Sequence, residues 1–120
     1  MTTCHEDQNP LITVLSPVYG CRDCLETLTE RVRTTFEGSG LDWELVLVDD
    51  RGPDEPWDLI LSLSERDERV RGIRLARNHG QHLAIWAGLE AARGDWVVVL
   101  DCDLQDDSTV IPQLYQRAVK

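Results

Sequence analysis

Apolar residues along the chain follow two alternating rhythms. Four short runs are dense in apolar and β-branched residues: Leu11-Ile-Thr-Val-Leu15, Trp43-Glu-Leu-Val-Leu-Val48, Val70 to Leu75 and Trp96-Val-Val-Val-Leu100. That length and content predict strands of a parallel sheet, the last of them buried and covered on both faces. Between the runs, apolar positions recur at helical spacing. They are Leu25, Leu28, Val32 and Phe36, then Leu59, Ile60 and Leu63 within about Trp57 to Glu65, then Leu83, Trp86, Ala87 and Leu89 within Gln81 to Arg93. A last helix is expected from Val110 to Ala118. Breakers punctuate the pattern. Ser16-Pro17 is expected to stop the first strand, Gly38-Ser39-Gly40 to end the first helix, and Gly94 to cap the third. Gly52-Pro53-Asp54 and Asn78-His79-Gly80 read as loops. The order β-α-β-α-β-α-β-α predicts an α/β fold, a Rossmann-like, mostly parallel sheet with helices on both faces. Residues 1–10 read as a flexible tail and 11–120 as one domain.

Two of the four strands run directly into acid. Asp49-Asp50 follows the second, and Asp101-Cys102-Asp103 follows the fourth. In an open α/β sheet the carboxyl ends of parallel strands share one edge, where ligands bind. Two carboxylates one residue apart suit a hard divalent cation, Mg²⁺ or Mn²⁺. An acidic loop capping the next helix explains the Asp101–Asp103 spacing equally well. Convergence of both acidic pairs on one edge favours a nucleotide or metal site.

Composition narrows the partners. A net charge of −10 opposes binding to a nucleic-acid backbone and is compatible with a bound cation. No run reaches the roughly 18–20 apolar residues of a membrane span. Met1 to Pro10 lacks the apolar stretch of a signal peptide, so a soluble, cytoplasmic chain is expected.

Several segments together resemble glycosyltransferase family 2. These are Val14-Leu-Ser-Pro-Val-Tyr19, Leu47-Val-Asp-Asp50, Arg77-Asn-His-Gly-Gln81, Ala87-Gly-Leu-Glu-Ala-Ala-Arg-Gly-Asp95 and Leu100-Asp-Cys-Asp-Leu-Gln-Asp106. The resemblance is closest to the polyprenyl-phosphate branch, the dolichol-phosphate-mannose and undecaprenyl-phosphate-sugar synthases, and it spans residue 11 to about 118. It implies the GT-A fold, a nucleoside-diphosphate-sugar donor, a Mg²⁺ or Mn²⁺ ion and inverting transfer of the sugar to an acceptor, here a polyprenyl phosphate. It implies that Pro17 and Tyr19 pack on the base or ribose and that Asp50 accepts hydrogen bonds from the base, with Asp49 beside it. Asp101 faces the ribose and the metal's waters, Asp103 ligates the metal, and Gln105 completes the shell. Arg77 is a candidate pyrophosphate contact. Full-length relatives of this kind act at the cytoplasmic face of the membrane. Acceptor-binding strands and a general base come later in the family, so none is assigned here. A C-terminally truncated donor part is expected, with an open sheet side that invites homo-oligomers. Two loops depart from the family pattern: Gly20-Cys21 stands where Asn-Glu is usual, and Arg51-Gly52-Pro53 where Gly-Ser is usual. Both loops touch the nucleotide, so the departures bear on the base and its affinity.

Other readings compete for parts of the chain. Leu47-Val-Asp-Asp50 with Val99-Leu-Asp101 imitates a response-regulator phospho-receiver, but no Thr and Lys on later strands complete it. Cys21-Arg-Asp-Cys24 at a helix start suggests a thioredoxin-like redox protein. The usual aromatic-Cys-Gly-Pro-Cys context is missing, so reduced thiols are expected at Cys21 and Cys24, with Cys102 a small buried filler. Arg66, Arg69, Arg71 and Arg74 read as a solvated face, and His79 and His82 as surface or packing residues.

Overall fold

The computed structural model describes residues 10–104 and 108–118. Its elements are β1 (Leu11–Val18), α1 (Leu25–Phe36), β2 (Asp42–Asp49), α2 (Trp57–Arg66), β3 (Val70–Arg74), α3 (Gln81–Ala91), β4 (Trp96–Val99) and α4 (Ile111–Ala118). Short 3₁₀ turns precede α1 and α4, at Arg22–Cys24 and Ser108–Val110. The predicted alternation of strand and helix holds throughout. The strands form one sheet in the order β3-β2-β1-β4, and every pair is parallel.

That order decides which helix covers which face. The chain steps from β1 to β2 to β3 in one direction, then crosses back to lay β4 on the far side of β1. Right-handed crossovers therefore place α1 and α2 on one face and α3 on the other. The two cores agree. Ile12, Val14, Leu45, Leu47 and Val70 pack with Leu25, Leu28, Val32, Phe36, Ile60 and Leu63 of α1 and α2. Leu15, Val46 and Val48 point the other way and pack with Ala84 of α3. The period of two along β1 and β2 divides their apolar residues between these cores.

Pro17 does not stop the first strand, which runs on to Val18. Successive residues of β1 turn their backbone groups alternately to β4 and β2. Leu11 and Leu15 accept from Asp95 and Leu100 on the β4 side, and Val18 accepts from Asp50 on the β2 side. Pro17 shares the parity of Leu15, so its missing N–H falls on the β4 side. Pairing there ends at Leu15–Val99, and the β2 ladder is untouched.

β4 is not covered on both faces as expected. Trp96, Val97 and Val99 are 37–42% exposed, because among the described residues the strand has β1 as its single neighbour. Trp96 packs edge-on against Tyr115 of α4, with ring centroids 5.8 Å apart. The bulky residues of α3 also face outward. Leu83, Trp86 and Leu89 are exposed, and the helix meets the sheet through Ala84 and Gly88, one turn apart. A side chain at residue 88 would collide with the buried Leu15.

Gly94 is not the cap of α3. The helix ends at Ala91 and the chain is already extended at Ala92. Gly94 is required for close approach instead. A Cβ there would lie 2.5 Å from Thr13 Oγ1, 2.7 Å from the Thr13 nitrogen and 2.9 Å from the Leu11 carbonyl oxygen. Gly94→Ala should therefore force β1 and the α3–β4 turn apart. Such overpacking costs about 1–3 kcal/mol, read as a lower urea midpoint at unchanged slope.

Candidate functional site

The strand order creates a switch point between β1 and β4. A crevice lies outside their carboxyl ends, and the segment after β4 returns to the face that carries α1, where Ser108 meets Thr35 and Ile111 joins the α1 core. The end of the β1–β4 ladder at Leu15 extends that crevice along Pro17. A cleft of about 550 Å³ lies there. The segment after β1 contributes Pro17, Tyr19, Gly20 and Cys21, β2 leads in Asp50, and the segment after β4 contributes Asp101, Cys102 and Asp103. Asn78, Gly80 and Gln81, at the entry to α3, close the remaining side.

The fold thus brings together Pro17, Tyr19, Asp50, Asp101 and Asp103, five of the expected site residues. The Tyr19 ring is 56% exposed, open to stacking by a flat ligand. Asp101 and Asp103 are exposed at the rim. Asp50 is almost fully buried, and both its oxygens are engaged. Oδ1 accepts from the His79 backbone N–H at 2.9 Å and Oδ2 from the Gly80 N–H at 3.1 Å.

Asp49 and Arg77 do not line the cleft. Strand alternation turns Asp49 to the opposite face from Asp50. There Oδ1 accepts from the Arg51 N–H at 2.8 Å, and Oδ2 lies 3.7 Å from Arg74 Nε. Asp49 holds the turn in which Arg51 takes a left-handed φ of 60°, a conformation that favours glycine. Gln105 lies outside the described residues.

A polar clasp fixes the loop after β2 against the start of α1. The Arg22 N–H donates to Asp54 at 2.8 Å, and its guanidinium donates to the Glu55 carbonyl and to Asp58. The arginines read as a solvated face are partly structural. Arg71 is half-buried against Glu44, Arg74 lies over Trp57 and Arg69 over Trp43.

The cysteines differ from expectation. Cys21 and Cys102 form a disulfide, with their Cα atoms 6.1 Å apart, and Cys24 is free. Cys21 is therefore not a reduced thiol, and Cys102 is not a mere filler between two carboxylates. The residues that sequence reasoning missed are this pair together with Gly20, Asn78, Gly80 and Gln81. Gly80, at φ 92°, carried a legible signal as the glycine of a polar loop before a helix.

A divalent ion fits the rim as an open site. Among the described residues no group of three or more His, Cys, Asp or Glu side chains could enclose a metal. Asp101 and Asp103 are instead two carboxylate-bearing residues that line the cleft. A hard cation of the Mg²⁺ type keeps waters and shares its shell with substrate phosphates, and it needs only one or two such ligands.

A parallel α/β sheet with an acid-rimmed crevice at its switch point defines a nucleotide-binding class of fold. The chain belongs to glycosyltransferase family 2, whose model matches residues 13–120. Among similar proteins is an undecaprenyl-phosphate 4-deoxy-4-formamido-L-arabinose transferase of Pseudomonas paraeruginosa, 41% identical over 111 residues, which make up 92% of this chain and 33% of that protein. The transferase of the same description from Salmonella paratyphi B is 39% identical over 89% of this chain and 33% of its own length. The chain thus spans about a third of the length of the curated relatives it matches. Two solved structures share the fold. One is a Pyrobaculum calidifontis mannosyltransferase in complex with GDP-Man and Mn²⁺, with a TM-score of 0.65 at 21% identity over 88% of this chain and 32% of that one. The other is the mannosyl-3-phosphoglycerate synthase of Rubrobacter xylanophilus, with a TM-score of 0.68 at 18% identity over 84% of this chain and 33% of that one. The fold is therefore of the GT-A glycosyltransferase type, as expected. Family membership sets aside the phospho-receiver and thioredoxin-like readings. No helix among the described residues is long and apolar enough to cross a membrane.

Proposed function

We propose that this chain forms the donor site of an inverting glycosyltransferase that moves a sugar from a nucleoside diphosphate to a polyprenyl phosphate at the cytoplasmic face of a membrane. The observation that carries this is the meeting of Asp50, Asp101 and Asp103 in one cleft at the β1–β4 switch point of a family 2 sheet. The relatives described as undecaprenyl-phosphate sugar transferases support the acceptor.

Each residue has a task set by its place. Tyr19 offers an exposed side chain for the base, and Pro17 lines the same cleft. Asp50 holds the backbone of His79 and Gly80 at the cleft wall. The lone pairs it retains accept from the base. Asp101 and Asp103 would hold Mg²⁺ or Mn²⁺ at the cleft. When bound, the ion supplies Lewis-acid stabilisation of the charge that builds on the leaving group. An acceptor phosphate is already anionic at neutral pH, so the step does not depend on a general base for deprotonation.

Thermal shift with UDP and GDP, in Mn²⁺ and in chelator, tests this assignment. A ligand at one hundred times its Kd should add about 2.7 kcal/mol to the folded state. The shift should be larger in Mn²⁺, and Asp103→Asn should lose the metal-dependent part. Equal shifts in chelator would remove the metal from the site. No shift with either nucleotide would end the donor reading.

A further inference from the structure

One departure from the family pattern meets the acidic motif inside the cleft. Cys21 stands in the loop after β1, at a position where the resemblance implies another residue, and Cys102 sits between Asp101 and Asp103. Their side chains, 81 residues apart in sequence, are joined. The bond ties the segment bearing Tyr19 to the segment bearing both rim carboxylates. Beyond it the chain is strained. Leu104 holds φ 69°, in the left-handed region that a leucine resists by roughly 1–2 kcal/mol.

Cys21 has a second partner within reach. The Cys24 N–H donates to the Cys21 carbonyl at 3.0 Å, which closes a tight turn. Such a turn keeps its end Cα atoms within about 7 Å, close to the span that a disulfide bridges. Cys24 is a free thiol of intermediate exposure, packed against the cluster that contains both Cys21 and Cys102.

We infer that Cys21 is the shared member of a three-cysteine exchange site that sets the order of the donor cleft. The Cys24 thiol gives its proton to solvent, and its sulfur attacks the Cys21 sulfur. The Cys21–Cys102 bond breaks, a Cys21–Cys24 bond forms, and Cys102 leaves as a thiolate that takes up a proton. No net oxidation occurs, so no external oxidant is consumed. In the first state the Asp101–Asp103 segment is pinned and the cleft is preformed. In the second it is released, and nucleotide binding must bear the ordering of that loop. An exchangeable bond differs from a fixed staple in that a neighbouring thiol can open it without any reductant. The effect on binding rests on the donor reading, whereas the exchange itself does not.

The experiment uses the 120-residue protein in a Cys4→Ser background, which removes the remaining thiol. The protein is equilibrated across glutathione redox buffers, quenched by alkylation and mapped without reduction after cleavage by trypsin and chymotrypsin. Cleavage after Tyr19 and Arg22 separates Cys21 from its neighbours. Both Cys21–Cys102 and Cys21–Cys24 peptides are expected, and Cys24→Ser should leave only the first. Hydrogen exchange of residues 101–104 should be slow in Cys24→Ser and faster in Cys102→Ser. UDP or GDP with Mn²⁺ should bind Cys24→Ser on the order of tenfold more tightly than Cys102→Ser. A map in which Cys21 pairs with Cys102 alone up to full reduction would overturn the exchange. So would equal hydrogen exchange in the two variants. Absence of nucleotide binding in every variant, with the map and the exchange rates as expected, would instead count against the donor reading.

Discussion

Replacing Glu44 by alanine should remove about 3–5 kcal/mol of folding stability, the usual cost of stranding one partner of a buried ion pair. Glu44 lies in the middle of β2 and is 6% exposed. Its Oε2 accepts from the Thr13 hydroxyl at 2.6 Å and from the Arg93 N–H at 2.8 Å, and Oε1 accepts from Arg71 Nε at 3.0 Å. Arg71 also donates to the Ala91 carbonyl at 2.6 Å. One carboxylate thus gathers β1, β3 and the end of α3 around β2. Alanine would leave a half-buried guanidinium and a backbone N–H without their acceptor. Urea unfolding at neutral pH measures the loss. A change below about 1 kcal/mol, typical of an exposed pair, would show that the network contributes little.

The same group makes stability depend on acid. Burial alone pushes the Glu44 carboxyl up. The hydrogen bonds from Thr13 and Arg93 and the charge of Arg71 outweigh burial, and the net result lies below the ordinary glutamate value. A carboxylate depressed in the folded state stabilises that state above the unfolded pKa, near 4.3, and the contribution is lost as pH falls through the lower folded value. Glu44→Gln should therefore flatten the decline of stability below about pH 4.3. Asp67 is depressed too, since hydrogen bonds from the Arg69 N–H and Arg33 overcome its burial, so part of the slope should remain in the variant.

The contrast between Glu44 and the aspartate pair shows what the chain reveals to a reader. The strands and helices are legible because each rests on local rhythm, and β2 reads as a strand despite Glu44. That Glu44 is buried is not legible, because its partners lie 31 residues before it and 27 and 49 residues after it. Asp49 and Asp50 are legible as a site because they end a strand. Their different fates were also encoded: Val46 and Val48 face α3, so Asp50 continues toward α3 and Asp49 turns away. Gly94 invites reading as a cap because it follows a helix, yet its reason is a contact with Thr13 and Leu11 that only the folded sheet creates. Trp96-Val-Val-Val99 has the composition of a covered strand, but composition does not state how many neighbours a strand acquires. The Cys21–Cys102 bond lay furthest from view, because no local pattern encodes a pairing across 81 residues.

Asp50→Asn should weaken both the fold and the cleft, and the two losses separate two roles for this residue. The carboxylate is 3% exposed and uses one oxygen for the His79 N–H and the other for the Gly80 N–H. Asparagine keeps a single oxygen. The Gly80 N–H keeps Asn78 Oδ1 as a second acceptor at 3.1 Å. The asparagine amide would still point a donor at one of these part-buried N–H groups, and losing a hydrogen bond to a charged acceptor costs about 1.5–3 kcal/mol. For a domain of this size that corresponds to a fall in Tm of several degrees, on the order of 4 °C per kcal/mol, in the absence of any ligand. The 78–80 segment forms the wall of the cleft and leads into α3, so it should loosen, and nucleotide-dependent stabilisation should fall with it. Asp50→Glu places the same charge one methylene too far forward and should recover little of either. If Asp50 served only to read the base, Asp50→Asn would keep the Tm of the ligand-free protein and lose the nucleotide shift alone. A ligand-free melting curve that overlays the parent's would therefore refute the anchoring role and leave base recognition as its sole task.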